Sequence, residues 1–230
     1  MKMFWDESPQ DDELQLPDDV VDVSYRIDCR CLPLDHAHAL TAAVREALPW
    51  LEDEDLAGIH LIHGAESGNG WYRPQDPEHD VLHLSRRARF RLRLPRKRLD
   101  KADALVGRRL DVDGYELGIG EARVMPLAPQ PALLARYVVA DADEDEARFL
   151  QAAADALRAM DIPVTKLLCG RSHRLRTPEG EVFTRSLMVA DLEPPDSVRL
   201  QRTGIGPGRL MGCGLFIGHK DIAPVQARQE

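Results

Sequence analysis

The chain has 230 residues, of which 43% are hydrophobic and 30% are charged, and its formal net charge is −9. This composition is ordinary for a globular protein and provides enough chain for one large domain or two small ones. No apolar run approaches the ~20 residues of a membrane-spanning helix, so we expect no membrane segment and no membrane partner.

The first segment, residues 1–19, is acidic and lacks the apolar core of a signal peptide. Residues 1–22 carry a net charge of −7, so the remaining 208 residues sum to only −2. We therefore expect a flexible acidic tail on a cytoplasmic protein. The cysteines show no zinc-binding spacing and are expected to be reduced thiols: Cys29, Cys31, Cys169 and Cys213.

Residues 20–124 alternate between strand and helix patterns. Apolar and polar residues alternate along 21–32, which predicts a strand. Apolar residues recur at helical spacing along 34–51, behind the candidate N-cap Asp35. Residues 58–65 predict a second strand. A glycine-rich connection, a basic strand, a short helix and a final extended stretch complete the order β-α-β-β-α-β.

Three prolines make residues 125–132 a semi-rigid linker. Residues 133–222 then repeat the same order, and 223–230 form a C-terminal tail. The predicted fold is therefore α+β, with two tandem ferredoxin-like (βαββαβ, RRM-like) domains. In the second domain, the acidic run 141–146 fits the first turn of a helix, where the helix dipole favours acids, better than a metal site.

The segment 86–101 is basic within this acidic chain, with nine Arg or Lys residues and one acid. Side chains alternate along a strand, so residues 88, 90, 92 and 94 are predicted to face the core. The opposite face carries four arginines, which Arg96 and Arg98 extend: Arg87, Arg89, Arg91 and Arg93. A second basic cluster lies on the second domain's strand pair: Arg171, Arg174, Arg176 and Arg185.

Guanidinium groups match phosphate oxygens bidentately, so these arginines indicate a phosphate-binding surface in a cleft between the two domains. The alternative is a solvated sheet face whose arginines pair with acids of the same chain.

The stretch "GIGPGRLMGCGLF", residues 204–216, holds five glycines: Gly204, Gly206, Gly208, Gly212 and Gly214. It is not a Walker A loop, because the Lys-Ser/Thr pair is missing, and not a Rossmann loop, because a strand follows it. Its backbone N–H groups beside Arg209 suit a phosphate. A plain glycine-rich connection is the alternative.

A tandem ferredoxin-like chain with a glycine-rich loop before its last strand resembles the RAMP superfamily of CRISPR-associated proteins. The segments "DHAHAL", "GIHLIHGAESGNGW" and "RTGIGPGRLMGCGLFIGHK" are similar to the repeat-processing endoribonucleases of the sixth Cas family, most of all its MYXAN-subtype branch. The resemblance implies metal-independent cleavage of CRISPR repeat RNA (pre-crRNA to crRNA), with the product retained. We expect no metal and no other cofactor, and other Cas effector-complex subunits are possible partners.

Metal-free RNA cleavage uses the ribose 2′-hydroxyl as nucleophile, with a base, an acid and cations to assist it. Histidine suits the acid and base roles at neutral pH. The resemblance places the active site around the first helix, facing the glycine loop, where four candidate catalytic histidines occur: His36, His38, His60 and His63. Several relatives carry the catalytic histidine just after this helix, where this chain has "PWLEDED". We therefore favour His36 and His60.

Three further residues are possible electrostatic helpers: Tyr25, Arg209 and Lys220. Two other functions stay open at this stage. One is a non-catalytic RAMP subunit that holds crRNA in an effector complex, which would use the same glycine loop and arginines. The other is a ferredoxin-like interaction or small-molecule protein outside CRISPR, with its arginines paired internally.

Overall fold

A computed structural model describes residues 16–64 and 81–219 of the chain. Residues 1–15 of the predicted tail at 1–19, the glycine-rich connection at 67–74, the tail at 223–230 and Lys220 lie outside the described residues. The helices are α1 (Ala37–Ala47), α2 (Leu99–Ala102), α3 (Glu146–Arg158) and α4 (Pro194–Thr203). The strands are β1 (Val20–Asp28), β2 (Cys31–Pro33), β3 (Gly58–His60), β4 (Val81–His83), β5 (Arg89–Pro95), β6 (Arg109–Val112), β7 (Tyr115–Pro126), β8 (Ala132–Val139), β9 (Lys166–Thr177), β10 (Gly180–Ala190) and β11 (Ile217–Gly218).

The first half folds around a five-stranded antiparallel sheet with the order β3-β5-β1-β7-β6. Strands β1, β3, β5 and β7, with helices α1 and α2 between them, give the order β-α-β-β-α-β. The first strand lies between the third and the fourth, which is the ferredoxin-like arrangement. Strand β6 extends this sheet through a hairpin with β7.

The second half repeats this arrangement in a four-stranded antiparallel sheet with the order β11-β8-β10-β9. Helix α3 connects β8 to β9, and α4 connects β10 to β11. The predicted fold of two tandem ferredoxin-like units is confirmed. Strand β7 ends at Pro126 and β8 begins at Ala132, while the domain limits given above stay a prediction.

Each sheet buries one face under its helices, because side chains alternate between the faces of a strand. In the first unit, Val23, Tyr25, Phe90 and Leu92 are buried together with Leu40 of α1. The side chains between them in sequence therefore point to the helix-free face. The ring of Tyr25 stacks on that of Phe90, and its hydroxyl donates to the carbonyl of Ala102, which gives Tyr25 a place in the core rather than the expected helper role.

The core of the second unit is separate from this one and lies between its sheet and helices α3 and α4. Phe149 and Leu157 of α3 and Leu200 of α4 pack against Leu133 and Phe216. Asp145 caps α3 by accepting a hydrogen bond from the backbone N–H of Arg148, as the acidic run predicts for a helix start.

The helix-free face of the second sheet packs against the first unit. Leu175 of β9 and Cys213, which precedes β11, are buried in the core of the first unit, and Tyr137 and Val139 of β8 pack at its edge. This packing joins the two units and leaves a cleft beside the junction. Among the described residues, no helix is both long and apolar enough to cross a membrane.

Two local predictions differ from the structure. Helix α1 begins at Ala37 with His36 at the N-cap position, and Asp35 accepts a hydrogen bond from the backbone N–H of Arg176 at 2.8 Å instead of capping the helix. The strand predicted at 58–65 is three residues long, because β3 pairs with β5 only over Gly58–His60.

Candidate functional site

A cleft of about 240 Å³ opens where the helix-free face of the first sheet meets strand β8 of the second. Its floor and walls are strongly cationic and contain two of the four candidate histidines. The polar side chains that line it are His60, His63, Arg87, Arg89, Arg91, Arg136 and Tyr137. Gly212 of the glycine loop completes the wall beside Leu61 and Leu215.

The strand register explains how the arginines reach the cleft. Arg91 of β5 lies between His60 of β3 and Ser24 of β1, so the three side chains share the helix-free face. Arg26 of β1 lies opposite Arg89 on the same face. Like charges that face each other directly destabilise a sheet unless an anion compensates them.

Two arginines of this face were missed by the sequence analysis. Arg26 and Arg123 lie on β1 and β7, and Arg123 is the cross-strand neighbour of Ser24. Both are exposed, and within residues 16–64 and 81–219 no acid pairs with either. Side chains alternate along these strands as they do along β5, but Arg26 and Arg123 are isolated cations in the sequence, whereas Arg89 and Arg91 belong to a dense basic run.

Arg93 does not belong to the exposed arginine row, which corrects the sequence prediction. Its side chain is fully buried and holds both carboxylate oxygens of Asp22, with Nε–Oδ1 at 2.7 Å and Nη2–Oδ2 at 2.9 Å. Its Nη1 donates to the carbonyls of Gln201 and Phe216 in the second unit. The alternation places Arg93 on the expected face, but the second unit covers that end of the sheet.

The other three arginines of the row remain accessible. Arg87 and Arg89 are exposed and Arg91 is half-buried. Nη1 of Arg89 donates to the carbonyls of Arg86 and Ala88, which fixes its direction without neutralising its charge. Within the described part of the chain, no carboxylate pairs with these three guanidinium groups.

His60 lies at the boundary between the cleft and the buried Arg93–Asp22 pair. Its side chain is 13% exposed, and its Nε2 lies 3.6 Å from Oδ1 of Asp22. Burial lowers the pKa of His60, and the charges of Arg93 and Arg91 act in the same direction, while Asp22 opposes them. The imidazole is therefore neutral at pH 7 in the free protein.

His63 forms a ring cluster with two residues of the second unit. Its ring lies nearly parallel to that of Tyr137, with centroids 6.0 Å apart, and Tyr137 meets His173 edge-on at 5.2 Å. Although His63 as a residue is exposed at the cleft, desolvation of the ring, followed by the charge of Arg136, lowers its pKa to about 3. Burial raises the pKa of Tyr137 to about 12.

Tyr137 and His173 were also missed by the sequence analysis. Tyr137 follows Arg136 in an apolar strand, and His173 lies between Arg171 and Arg174 in a basic strand. Their sequence neighbours do not mark them as site residues, because only the packing of the two sheets brings these rings beside His63.

His36 is not positioned for catalysis, which corrects our preferred assignment. The residue is 4% exposed, its Nδ1 donates to the carbonyl of Pro33 at 2.9 Å, and its Nε2 accepts from the backbone N–H of Ile62 at 3.2 Å. Nδ1 thus holds the ring against the end of β2, and Nε2 ties the start of α1 to the chain after β3. His38 is half-buried on α1 and does not line the cleft.

Two further arginines of the sequence prediction have structural partners outside the cleft. Arg96 binds the carbonyl and carboxylate of Asp18. Arg98 pairs with Glu54 at 2.7 Å and lies over the ring of Trp50.

Arg209 donates to four backbone carbonyls, those of Leu56, Ala57, Arg202 and Thr203. Burial lowers its pKa to about 10. These bonds tie the glycine loop to the segment before β3, so Arg209 stabilises the junction instead of presenting its charge to a ligand, contrary to its expected role.

The second basic cluster is divided between the two faces and ends of its strand pair. Arg174 pairs with Glu181 at 2.7 Å, and Arg174 and Arg185 both lie over the ring of Phe183. Arg185 also donates to the carbonyl of Glu144. Arg171 and Arg176 are exposed. Desolvation lowers the pKa of His173, and the charge of Arg171 acts in the same direction.

The glycine loop packs tightly on itself and on β3. Gly204, Gly206, Gly208, Gly212 and Gly214 all have positive φ. A Cβ at Gly214 would strike the carbonyl of Ile205, and one at Gly212 would lie 2.7 Å from Cγ of Leu61. Only Gly206 and Gly208 are exposed. The buried glycines of the loop therefore allow close packing at the junction. Of the five, Gly206 and Gly208 are accessible to a ligand.

In the part of the chain that the structure covers, no group of three His, Cys, Asp or Glu residues is arranged to hold a metal ion.

Comparison with known proteins decides the family. The family model "Cas6 Crispr" matches residues 21–221. The CRISPR-associated endonuclease Cas6 of Myxococcus xanthus (strain DK1622) is 32% identical over 207 residues, which cover 90% of this chain and 85% of that protein. The chain belongs to the Cas6 family. The resemblance that the sequence analysis drew from the histidine segments and the glycine loop is thereby confirmed.

Two solved structures superimpose on this chain and have the same fold. A "CRISPR associated protein Cas6" superimposes with a TM-score of 0.60 at 11% identity, covering 87% of this chain and 100% of that one. "An RAMP protein binding different RNA substrates" superimposes with a TM-score of 0.58 at 12% identity, covering 85% and 98%. At such identities the likeness establishes the tandem ferredoxin-like fold.

Proposed function

We propose that this Cas6-family protein is an endoribonuclease that binds CRISPR repeat RNA in the cleft between its two sheets. In this proposal it cuts the RNA once per repeat, without a metal ion, to release crRNA. The observation that carries the proposal is the shared cleft of His60, His63 and the arginines Arg87, Arg89 and Arg91. The relative from M. xanthus, itself named an endonuclease, supports the reaction class.

The charges of the cleft suit a polyanion. Arg87, Arg89 and Arg91 lie along one wall without acidic partners in the described chain, and Arg26 and Arg123 continue the same sheet face. Guanidinium groups bind phosphate oxygens in bidentate geometry. An RNA strand that follows this face would relieve the repulsion between Arg26 and Arg89.

The chemistry follows from the protonation of the histidines. In the free protein, desolvation keeps the pKa of both His60 and His63 below its usual range, so each is neutral and able to accept a proton. One of them takes the proton of the ribose 2′-hydroxyl, whose oxygen attacks phosphorus as the bond to the 5′-oxygen breaks. A bound phosphate raises the pKa of the other histidine, which then protonates the leaving 5′-oxygen.

The products of this reaction are a 2′,3′-cyclic phosphate and a free 5′-hydroxyl. Arg91, between His60 and Ser24, is placed to stabilise the extra negative charge of the phosphorane. The extended arginine face continues to hold the product after the cut. We further propose that the protein works in the cytoplasm and hands its crRNA to other Cas subunits.

The test uses purified protein and a synthetic repeat RNA, under single-turnover conditions in EDTA. We expect a single cut that EDTA leaves unchanged. A substrate with one 2′-deoxy sugar at the cut position should bind normally and stay intact. Loss of cutting in EDTA, or cutting of the deoxy substrate, would overturn the mechanism. Tight binding without any cut would instead indicate a non-catalytic RAMP subunit.

A further inference from the structure

Asp22 is a buried carboxylate with two different neighbours. The residue is 6% exposed, and both of its oxygens accept hydrogen bonds from Arg93. The same Oδ1 that binds Nε of Arg93 also lies 3.6 Å from Nε2 of His60. Asp22 therefore stands between a fully buried cation and a histidine that lines the cleft.

The position of Asp22 is fixed from behind. Arg93 has no exposed surface, and its Nη1 is held by the carbonyls of Gln201 at 2.7 Å and Phe216 at 2.9 Å. Asp22 and Arg93 are cross-strand neighbours within the first unit, and these two carbonyls of the second unit bury and fix their ion pair when the units are docked. Burial by itself would raise the pKa of Asp22, but the charge and hydrogen bonds of Arg93, aided by His60, outweigh it and keep that pKa well below its usual range, so Asp22 is a carboxylate at neutral pH.

Nε2 of His60 has no other partner in the described chain. It is a buried polar atom without a hydrogen bond, and 3.6 Å is longer than a hydrogen bond allows. Hydrogen bonds of catalytic groups are often long in a free enzyme and shorten when substrate binds. The charged groups that face the ring are Asp22 from β1 and Arg91 and Arg93 from β5.

We propose that Asp22, locked in place by Arg93, is a positioning residue that holds the proton of neutral His60 on Nε2 and so leaves Nδ1 as the base in the cleft. The carboxylate only accepts hydrogen bonds, so a proton on Nε2 is the arrangement that satisfies both groups. After His60 takes the 2′-hydroxyl proton on Nδ1, the same carboxylate stabilises the imidazolium. This inference rests on the proposed function, since it assumes that His60 acts in cleavage.

We call the arrangement of Arg93, Asp22 and His60 the relay. It links the reactive tautomer of His60 to the docking of the two units, because Arg93 is held by carbonyls of the second unit. Its effect on pH dependence has a definite sign. Asp22 stabilises the protonated form of His60, so removing its charge lowers the pKa of His60 further. A base with a lower pKa moves the acidic limb of the pH–rate profile to lower pH.

The first test needs no variant of the relay. Full-length protein labelled with ¹⁵N-histidine is examined at pH 7.5 by long-range ¹H–¹⁵N correlation, and the signals of His60 are assigned by their loss in His60→Gln. We expect a protonated Nε2 and an unprotonated Nδ1. The opposite tautomer overturns the relay. This readout does not depend on cleavage.

The second test compares Asp22→Asn with Glu54→Gln in single-turnover cleavage from pH 5 to 9. Glu54 is a matched control, because its side chain is also largely buried and paired with an arginine, Arg98, but lies outside the cleft. We expect Asp22→Asn to cut at least about tenfold more slowly at pH 7.5, with its acidic limb at lower pH. Glu54→Gln should keep the wild-type pH profile even if it is less stable.

The outcomes separate the relay from the proposed function. Normal cutting by His60→Gln contradicts the use of His60 in the proposed function. Loss of cutting in His60→Gln, together with an unchanged pH profile in Asp22→Asn, overturns the relay alone. If Asp22→Asn does not fold, the tautomer in the wild-type protein decides.

Discussion

The imidazole of His63 lies nearly parallel to the phenol ring of Tyr137, with the ring centroids 6.0 Å apart and an angle of 19° between the planes. The two residues come from different ferredoxin-like units, so the contact exists only in the docked arrangement. Tyr137 also meets His173 edge-on, which leaves it enclosed between two histidines. The docking of the sheets thus determines where His63 points.

We expect Tyr137→Phe to cut RNA within about twofold of the wild type, because the stacked ring is kept and such ring pairs contribute about 1 kcal/mol. Tyr137→Leu removes the ring but keeps an apolar side chain, and it should cut about tenfold more slowly. Single-turnover rates at saturating protein measure the difference. Equal rates for the two variants would show that the ring does not position His63.

The low pKa of His63 predicts a loss of folding stability in acid. Desolvation and the charge of Arg136 lower the pKa of His63 in the folded protein, so the ring stays neutral to a lower pH than in the unfolded chain, which protonates it below about 6.5. The contribution of His63 to stability is therefore complete above pH 6.5 and falls as the pH drops towards the folded value. Urea unfolding at pH 7.5 and 5.0 should show a smaller loss for His63→Gln than for the wild type.

Arg93→Met should lower the free energy of unfolding by about 3–5 kcal/mol, because it leaves the buried carboxylate of Asp22 without its cation. Arg45→Met removes a cation from the exposed Arg45–Glu52 pair and serves as the control, with an expected loss below about 1 kcal/mol. Urea titration at pH 7 measures both. A double variant, Arg93→Met with Asp22→Leu, should recover part of the loss, and its failure to do so would assign the loss to packing.

Strand periodicity predicted the tandem fold correctly, because both units alternate apolar and polar residues along their strands. It also placed Arg89, Arg91 and Arg93 on one face, and their strand register agrees. What it could not supply is the covering of Arg93 by the second unit. That covering depends on contacts with Gln201 and Phe216, more than 100 positions away in the chain.

His36 and His60 also show that sequence patterns do not reveal which contacts a side chain makes in the folded protein. His36 and His60 have similar sequence surroundings, each next to apolar residues at an element's end. In the structure, His36 has two backbone partners, Pro33 and Ile62, whereas His60 lies at the cleft. The backbone groups that a ring nitrogen can reach are set by tertiary packing, so residue spacing alone does not distinguish the two roles.

Charge reversal of the arginine face should weaken RNA binding and its dependence on salt together. Arg89→Glu with Arg91→Glu removes two cations that line the cleft, whereas Arg148→Glu with Arg158→Glu makes the same charge change on α3. We expect the slope of log affinity against log salt to fall by about 1.4 for the cleft variant, at ~0.7 per phosphate contact on a single strand. Filter binding from about 50 to 300 mM salt, over which the Debye length shortens by roughly half, measures this slope. Equal losses in both variants would indicate a non-local charge effect.

Gly212→Ala should slow cleavage more than it weakens RNA binding. Gly212 has a φ of +80°, and a Cβ there would lie 2.7 Å from Cγ of Leu61 and 3.3 Å from the carbonyl of Ile59. Both neighbours flank His60, so relief of the clash must move β3 and the histidine with it. Gly206→Ala is the control, because its φ of +73° carries a similar backbone penalty of about 1–2 kcal/mol while its Cβ meets open space. Single-turnover rates and affinities are compared for both variants. If the two variants cut equally fast once saturated with RNA, the contact of Gly212 with β3 does not position His60.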